Sequence, residues 1–74
     1  MQPSQIDDIF TYKRPFADQP QRYEQMRDGA KHLAHIINNY CPESREKSLA
    51  ITSLQQTIMW ANASIAINET EPVT

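Results

Sequence analysis

Residues 48–68 are 21 consecutive positions without one charged side chain, and that run limits the folds open to this chain more than any other feature. Ile51, Leu54, Ile58, Ala61 and Ile65 recur in it at alternating spacings of three and four, which places them on one face of a helix. A second stripe, Ala50, Met59, Ala63 and Ala66, lies off that face. A helix on the surface of a monomer normally carries charge on its outer side. Nine of these 21 residues are Ser, Thr, Gln or Asn, however, which makes the run too polar for a membrane span. The pattern therefore predicts a helix buried between copies of the chain, with the alanines permitting close approach. Leu54, Ile58, Met59, Trp60, Asn62, Ala63 and Ala66 are the candidate oligomer interface. Trp60 is expected to pack and to place its N–H on a partner, and Asn62 and Asn68 to fix register as buried amides. The alternative is a monomer whose second helix presents a neutral polar face.

The rest of the chain supplies that helix with one antiparallel neighbour. Tyr23, Met26, Ala30, Leu33, Ile37 and Tyr40 repeat the three-four alternation in a segment that begins near Asp18 or Pro20. Asp18 as cap and Gln21 three residues on have capping-box spacing, and Asn38, Asn39 and Pro42 supply the stop. For the second helix, Ser44 is the expected cap, with Pro42 at the first helical position as the alternative. The single glycine, Gly29, disfavours a fold of strands and tight turns. The fold class is all-α: an antiparallel helical hairpin over residues 20–69, preceded by a short helix and extended arm over residues 1–19 and followed by a fraying tail at residues 70–74. In the N-terminal part, Ser4 with Asp7 suggests a capped helix carrying Ile6, Ile9 and Phe10, and residues 11–16 read as the arm.

At 74 residues the chain makes one domain and buries roughly 60 % of its surface by the usual scaling, so its core is marginal. Cys41 has no second cysteine and no Cys/His cluster has zinc spacing, which leaves self-association as the expected source of extra stability. A net charge of -2 gives no reason to expect a DNA or RNA duplex or an anionic membrane as partner. The N-terminus lacks the basic start and apolar run of a signal peptide, so a cytosolic protein is expected.

Catalytic chemistry is poorly represented. His32 and His35 are three apart on the first long helix, but two nitrogen ligands without a third do not make a metal site. Cys41 reads as a packing residue, while Asp7, Asp8, Glu43 and Glu46 read as cap and first-turn charges. No cofactor is called for. Ligand binding has better candidates. Tyr12, Lys13 and Arg14 set an aromatic face beside two cations, chemistry suited to stacking a base and neutralising a phosphate. Arg27 and Lys31 share one side of the first long helix, and Arg45 and Lys47 stand where the next helix starts and its dipole favours an anion.

The stretch PESREKSLAITSL at residues 42–54, continued by MWANASIAINE at 59–69, resembles the helical hairpin shared by phage anti-CBASS cyclic-oligonucleotide sponges and anti-Thoeris sponges. The likeness covers residues 23–69. It implies a hexamer of hairpins in the cytoplasm of the infected bacterium. Such a hexamer would sequester host cyclic dinucleotides, cyclic GMP–AMP among them, and would not cleave them, with cyclic trinucleotides at a separate site. The anti-Thoeris branch carries a β-rich portion before the hairpin for which this chain has no room, so the helical anti-CBASS branch is the nearer likeness. The resemblance makes Tyr12 and Arg27 the nearest candidates for holding the bases of a cyclic dinucleotide between subunits, with Lys31 in reserve. Arg45, Ser48 and Thr52, at the helix start, are candidates for a symmetric pocket holding a larger cyclic ligand. Gln55 and Gln56 stand where acidic character is expected in relatives. The competing expectation is a helical oligomeric module that docks a host protein.

Overall fold

The computed structural model describes residues 1–70, apart from the side chain of Asp8. Among them are three helices and no strand: α1 (Pro3–Phe10), α2 (Gln19–Tyr40) and α3 (Arg45–Asn68). The last four tail positions lie outside the described residues.

The turn between α2 and α3 is fixed by local chemistry. Cys41 ends α2 in an extended conformation, its N–H donating back to the Ile37 carbonyl at 3.0 Å. Ser44 then caps α3: its hydroxyl oxygen accepts from the Lys47 N–H at 3.1 Å, an arrangement that contributes about 1 kcal/mol. Pro42 stays outside the helix. Lys47 is buried, with its ammonium donating to the Asn38 carbonyl at the end of α2 at 3.0 Å and paired with Glu43. A cation on the last carbonyls of one helix and in the first turn of the next closes the hairpin from both sides. Lys47, expected beside Arg45 as an anion ligand, is therefore consumed structurally.

The other boundaries depart from expectation in detail. Asp18 is the N-cap residue of α2, but its side chain makes no capping bond and pairs instead with Arg22 at 3.2 Å. Gln21, expected to complete a capping box, is exposed. At α1 the cap is Gln2, whose N–H donates to the Gln5 side chain at 2.7 Å, and Ser4 lies inside the helix. A glutamine three residues on can close the cap where a serine was expected, because what the first turn lacks is an acceptor at that reach.

Ile51, Leu54, Ile58, Ala61 and Ile65 are all half-buried, as their spacing predicts for the face of α3 that meets α2. On α2, Tyr23, Met26, Ala30 and Ile37 are half-buried too. Leu33 and Tyr40 are not: both are exposed, and Ala34 takes the position expected for Leu33. A straight helix turns 3.6 residues per turn, so a contact face advances by one residue where a strict alternation does not.

The hairpin is a single layer. Its extents are 51 × 30 × 13 Å, and the smallest is barely more than the diameter of one helix. The radius of gyration is 16.0 Å, against roughly 11 Å for a compact chain of this length. The accessible surface is 6211 Å², about 1,500 Å² above the value usual for this mass. Among the described residues no apolar side chain is fully buried, and Met59 and Trp60 stand 57 % and 69 % exposed. A helix layer needs a second layer to bury its apolar face. The excess is about twice what one partner contributes to an ordinary interface.

Candidate functional site

The open end of the hairpin, where α2 begins and α3 ends, is crossed by the arm of residues 11–16. Three hydrogen bonds are among those that set the path of that arm. Thr11 donates its hydroxyl to the Asp7 carbonyl in α1. Ala17 has φ of 52°, a left-handed backbone that costs a residue with a Cβ roughly 1–2 kcal/mol, and Asp18 follows near φ -90°, ψ 9°. These angles turn the chain so that the Gln19 N–H donates to the Phe16 carbonyl at 3.0 Å. The Gln19 side-chain oxygen in turn accepts from the Phe16 N–H at 3.2 Å, so both backbone groups of Phe16 are held by one residue.

Gln19 is 2 % exposed, and its amide nitrogen donates to Glu69 at 2.9 Å, from the first residue of α2 to the cap of α3. Arg22 grips the same carboxylate with two nitrogens, at 2.7 and 2.5 Å. Glu69, expected at the fraying edge of the hairpin, instead closes it. The bidentate Arg22 bond, helped by Gln19, holds the Glu69 carboxyl down at about 2 against an ordinary value of 4.5, while the paired carboxylate raises Arg22 above its usual range. A carboxyl whose folded pKa is depressed stabilises the fold above its unfolded value and loses that contribution as pH falls through the folded one. Glu69→Gln is therefore expected to melt below the unaltered protein at pH 7, with the gap narrowing below pH 4.5 and closing near pH 2. Thermal melts of both proteins across that range check this, and a gap constant with pH would show that the charge contributes nothing.

The arm divides the surface at this end into two clefts. One, of about 330 Å³, lies between Tyr12, Lys13 and Pro15 on the arm, Tyr23 on α2, and Asn62, Ala63 and Ala66 on α3. The Asn62 amide oxygen is buried there without a hydrogen-bond partner. The other cleft, of about 560 Å³, is more polar and is bounded by Tyr12, Lys13, Arg14 and Phe16 on one side and by Gln19, Ile67 and Glu69 on the other. Tyr12 borders both and is 84 % exposed. Both volumes fall within the span of small-molecule sites.

The remaining candidates are spread along the molecule. Arg27 is exposed on α2 one turn beyond Tyr23, roughly 6 Å further along the axis. Lys31, a turn further still, borders a shallow apolar groove formed by Ala30, Ala34, Ile51, Leu54 and Ile58. Arg45, Ser48 and Thr52 are exposed at the turn end of α3. They stand roughly 16 to 27 Å along the helix from Ala63, which sets them apart from a small ligand held at Tyr12 of the same chain. The candidates form two groups, and Lys47 belongs to neither.

Of the proposed interface residues, Leu54 and Ile58 line the groove between the helices, Met59 and Trp60 project into solvent, and Asn62, Ala63 and Ala66 are half-buried beneath the arm. Part of the polarity of α3 is satisfied internally. Thr57 donates to the Ser53 carbonyl at 2.8 Å and Asn68 to the Ser64 carbonyl at 2.9 Å, which lowers the cost of covering them. Among the described residues no group of three or more His, Cys, Asp or Glu could hold a metal ion, and no helix is long and apolar enough to cross a membrane.

Sequence reasoning missed Gln19, Arg22 and Glu69. Their partners are 47 and 50 positions apart, a pairing that only the hairpin register creates.

A family model described as the hairpin domain of Acb2/Tad1 matches residues 2–66, which takes in the arm as well as both long helices. No curated protein and no solved structure matches the chain.

Proposed function

The chain belongs to the Acb2/Tad1 hairpin family of anti-CBASS and anti-Thoeris sponges, and from that premise we propose that it binds host cyclic oligonucleotides and withholds them, intact, from the effectors they activate. The observation that carries this reading is the extent of the match. It spans the arm with Tyr12 and not the hairpin alone, so the segment that offers a stacking face and two cations lies within the matched region.

Sequestration requires affinity rather than stabilisation of a transition state, and the candidate residues suit it. Tyr12 gives one base a face, with a single stack contributing roughly 1 to 3 kcal/mol. Lys13 and Arg14 beside it, and Arg27 on α2, offer charge-assisted bonds to phosphates. A second copy of the chain supplies the second face, because the apolar surface left open by the single layer calls for a partner and a symmetric ligand suits a symmetric site. We propose a homohexamer in the cytoplasm of the infected bacterium, with cyclic dinucleotides held near Tyr12 and Arg27. A second, symmetric site at Arg45, Ser48 and Thr52 would take cyclic trinucleotides.

Calorimetric titration with a panel of cyclic di- and trinucleotides tests this, followed by heating each complex and identifying the released ligand by chromatography. Saturable heat with intact ligand recovered supports the sponge, and its stoichiometry per chain separates one class of site from two. Cleaved ligand would mean an enzyme. No heat with any member of the panel would move the reading to a module that docks a host protein through Met59 and Trp60.

A further inference from the structure

The geometry points to Gln19 as the residue that positions the ligand-binding arm, by holding Phe16 at one end of the arm to Glu69 on α3. The inference rests on the sequestration reading only for its effect on affinity. Its geometric part stands separately.

Gln19 sits where the arm, α2 and the cap of α3 meet. Its main-chain N–H and its side-chain oxygen close a ring on Phe16, at 3.0 and 3.2 Å. Its side-chain nitrogen reaches Glu69 at 2.9 Å. These bonds leave the amide no freedom to invert: the oxygen must face an N–H and the nitrogen must face a carboxylate. Burial to 2 % exposure keeps water from substituting for either bond. From Phe16 the constraint passes up the arm. Pro15 has its own φ fixed and biases Arg14 toward extended backbone, so two more residues have little freedom. Tyr12, with its ring in solvent, follows after one more residue and borders the cleft lined by Asn62, Ala63 and Ala66. Glu69 is secured independently by Arg22, which makes α3 the fixed end of the chain of bonds and the arm the end that is placed. Gln19 is thus a positioning residue, acting through Phe16 on Tyr12.

The test exploits the direction of the bonds. In Gln19→Glu the new carboxylate can still accept from the Phe16 N–H but cannot donate to Glu69, and it faces a like charge. An acidic residue in the first turn of α2 suits the helix dipole, so the fold is retained. In the double variant Q19E/E69Q the amide moves to position 69 and donates to the carboxylate at 19, restoring the link between residues 19 and 69 at the same net charge, while Arg22 keeps only the amide oxygen of residue 69 as its acceptor there. Two quantities are read on the full chain: hydrogen exchange at the Phe16 amide, with no ligand present, and calorimetric affinity for cyclic GMP–AMP.

For Gln19→Glu, Phe16 exchange is expected to rise at least tenfold and affinity to fall tenfold or more, at unchanged far-UV circular dichroism. The double variant is expected to return both within about threefold of Glu69→Gln alone, the reference that shares its weakened Arg22 grip. A single variant that changes neither quantity, or a double variant as impaired as the single, overturns the assignment. If cyclic GMP–AMP and the other cyclic nucleotides give no heat with the unaltered protein while Phe16 exchange responds as expected, the sequestration reading fails and the positioning role stands.

Discussion

Trp60→Glu is expected to separate the assembly we propose into dissociated, still helical chains, visible as a fall in mass by light scattering after size-exclusion chromatography with far-UV circular dichroism retained. In the isolated hairpin Trp60 is 69 % exposed, so a carboxylate there meets water and costs the single chain little. Between copies in the proposed assembly it would meet an uncharged helix. Residues 48–68 contain no cation to pair with it, and the same absence recurs in every copy. An unpaired charge enclosed in an interface costs about 3 kcal/mol, which is roughly 150-fold in affinity at each contact it enters. Trp60→Phe should keep the assembly, since it retains most of the apolar area and introduces no charge. An unchanged mass for the glutamate variant would place Trp60 in solvent and locate the interface elsewhere.

Tyr12→Ala should weaken cyclic dinucleotide binding by roughly 5- to 150-fold, the equivalent of one lost base stack at about 1–3 kcal/mol. Tyr12→Phe should retain most of the affinity, because the face and not the hydroxyl does the stacking. The Tyr12 side chain is exposed on the arm, so neither change should lower the melting temperature appreciably. Calorimetry on the three proteins decides it. Affinity equal to that of the unaltered protein in the alanine variant would remove Tyr12 from the site and leave the bases to be held from α2.

What the sequence disclosed and what it withheld divide along a physical line. The end of α2 and the Ser44 cap of α3 were legible because each depends on residues within one turn of each other. The α3 stripe was legible because helical period alone places Ile51, Leu54, Ile58, Ala61 and Ile65 on one side. Asp18 shows where local reasoning stops. Its spacing fits a cap, but Arg22 one turn on competes for the same carboxylate and takes it. Lys47 was misleading for a related reason. A lysine in the first turn of a helix looks like an anion ligand until the turn brings Asn38 and Glu43 to it. The Gln19, Arg22 and Glu69 clasp was illegible altogether, since no local pattern marks a glutamine that will meet a glutamate 50 positions away. Tyr12, by contrast, was singled out by the two cations beside it, and the structure adds that it borders two clefts.

A layer only 13 Å thick has no inside of its own. The surface that α2 and α3 leave uncovered is the surface that association would remove from water, so folding and assembly draw on the same reserve of free energy. The consequence is a mass-action one. For the assembly we propose, the melting temperature is expected to rise with the number of copies present, and dilution to act on it as a denaturant does. A few scattered copies would be open to proteolysis, and a full complement would be protected.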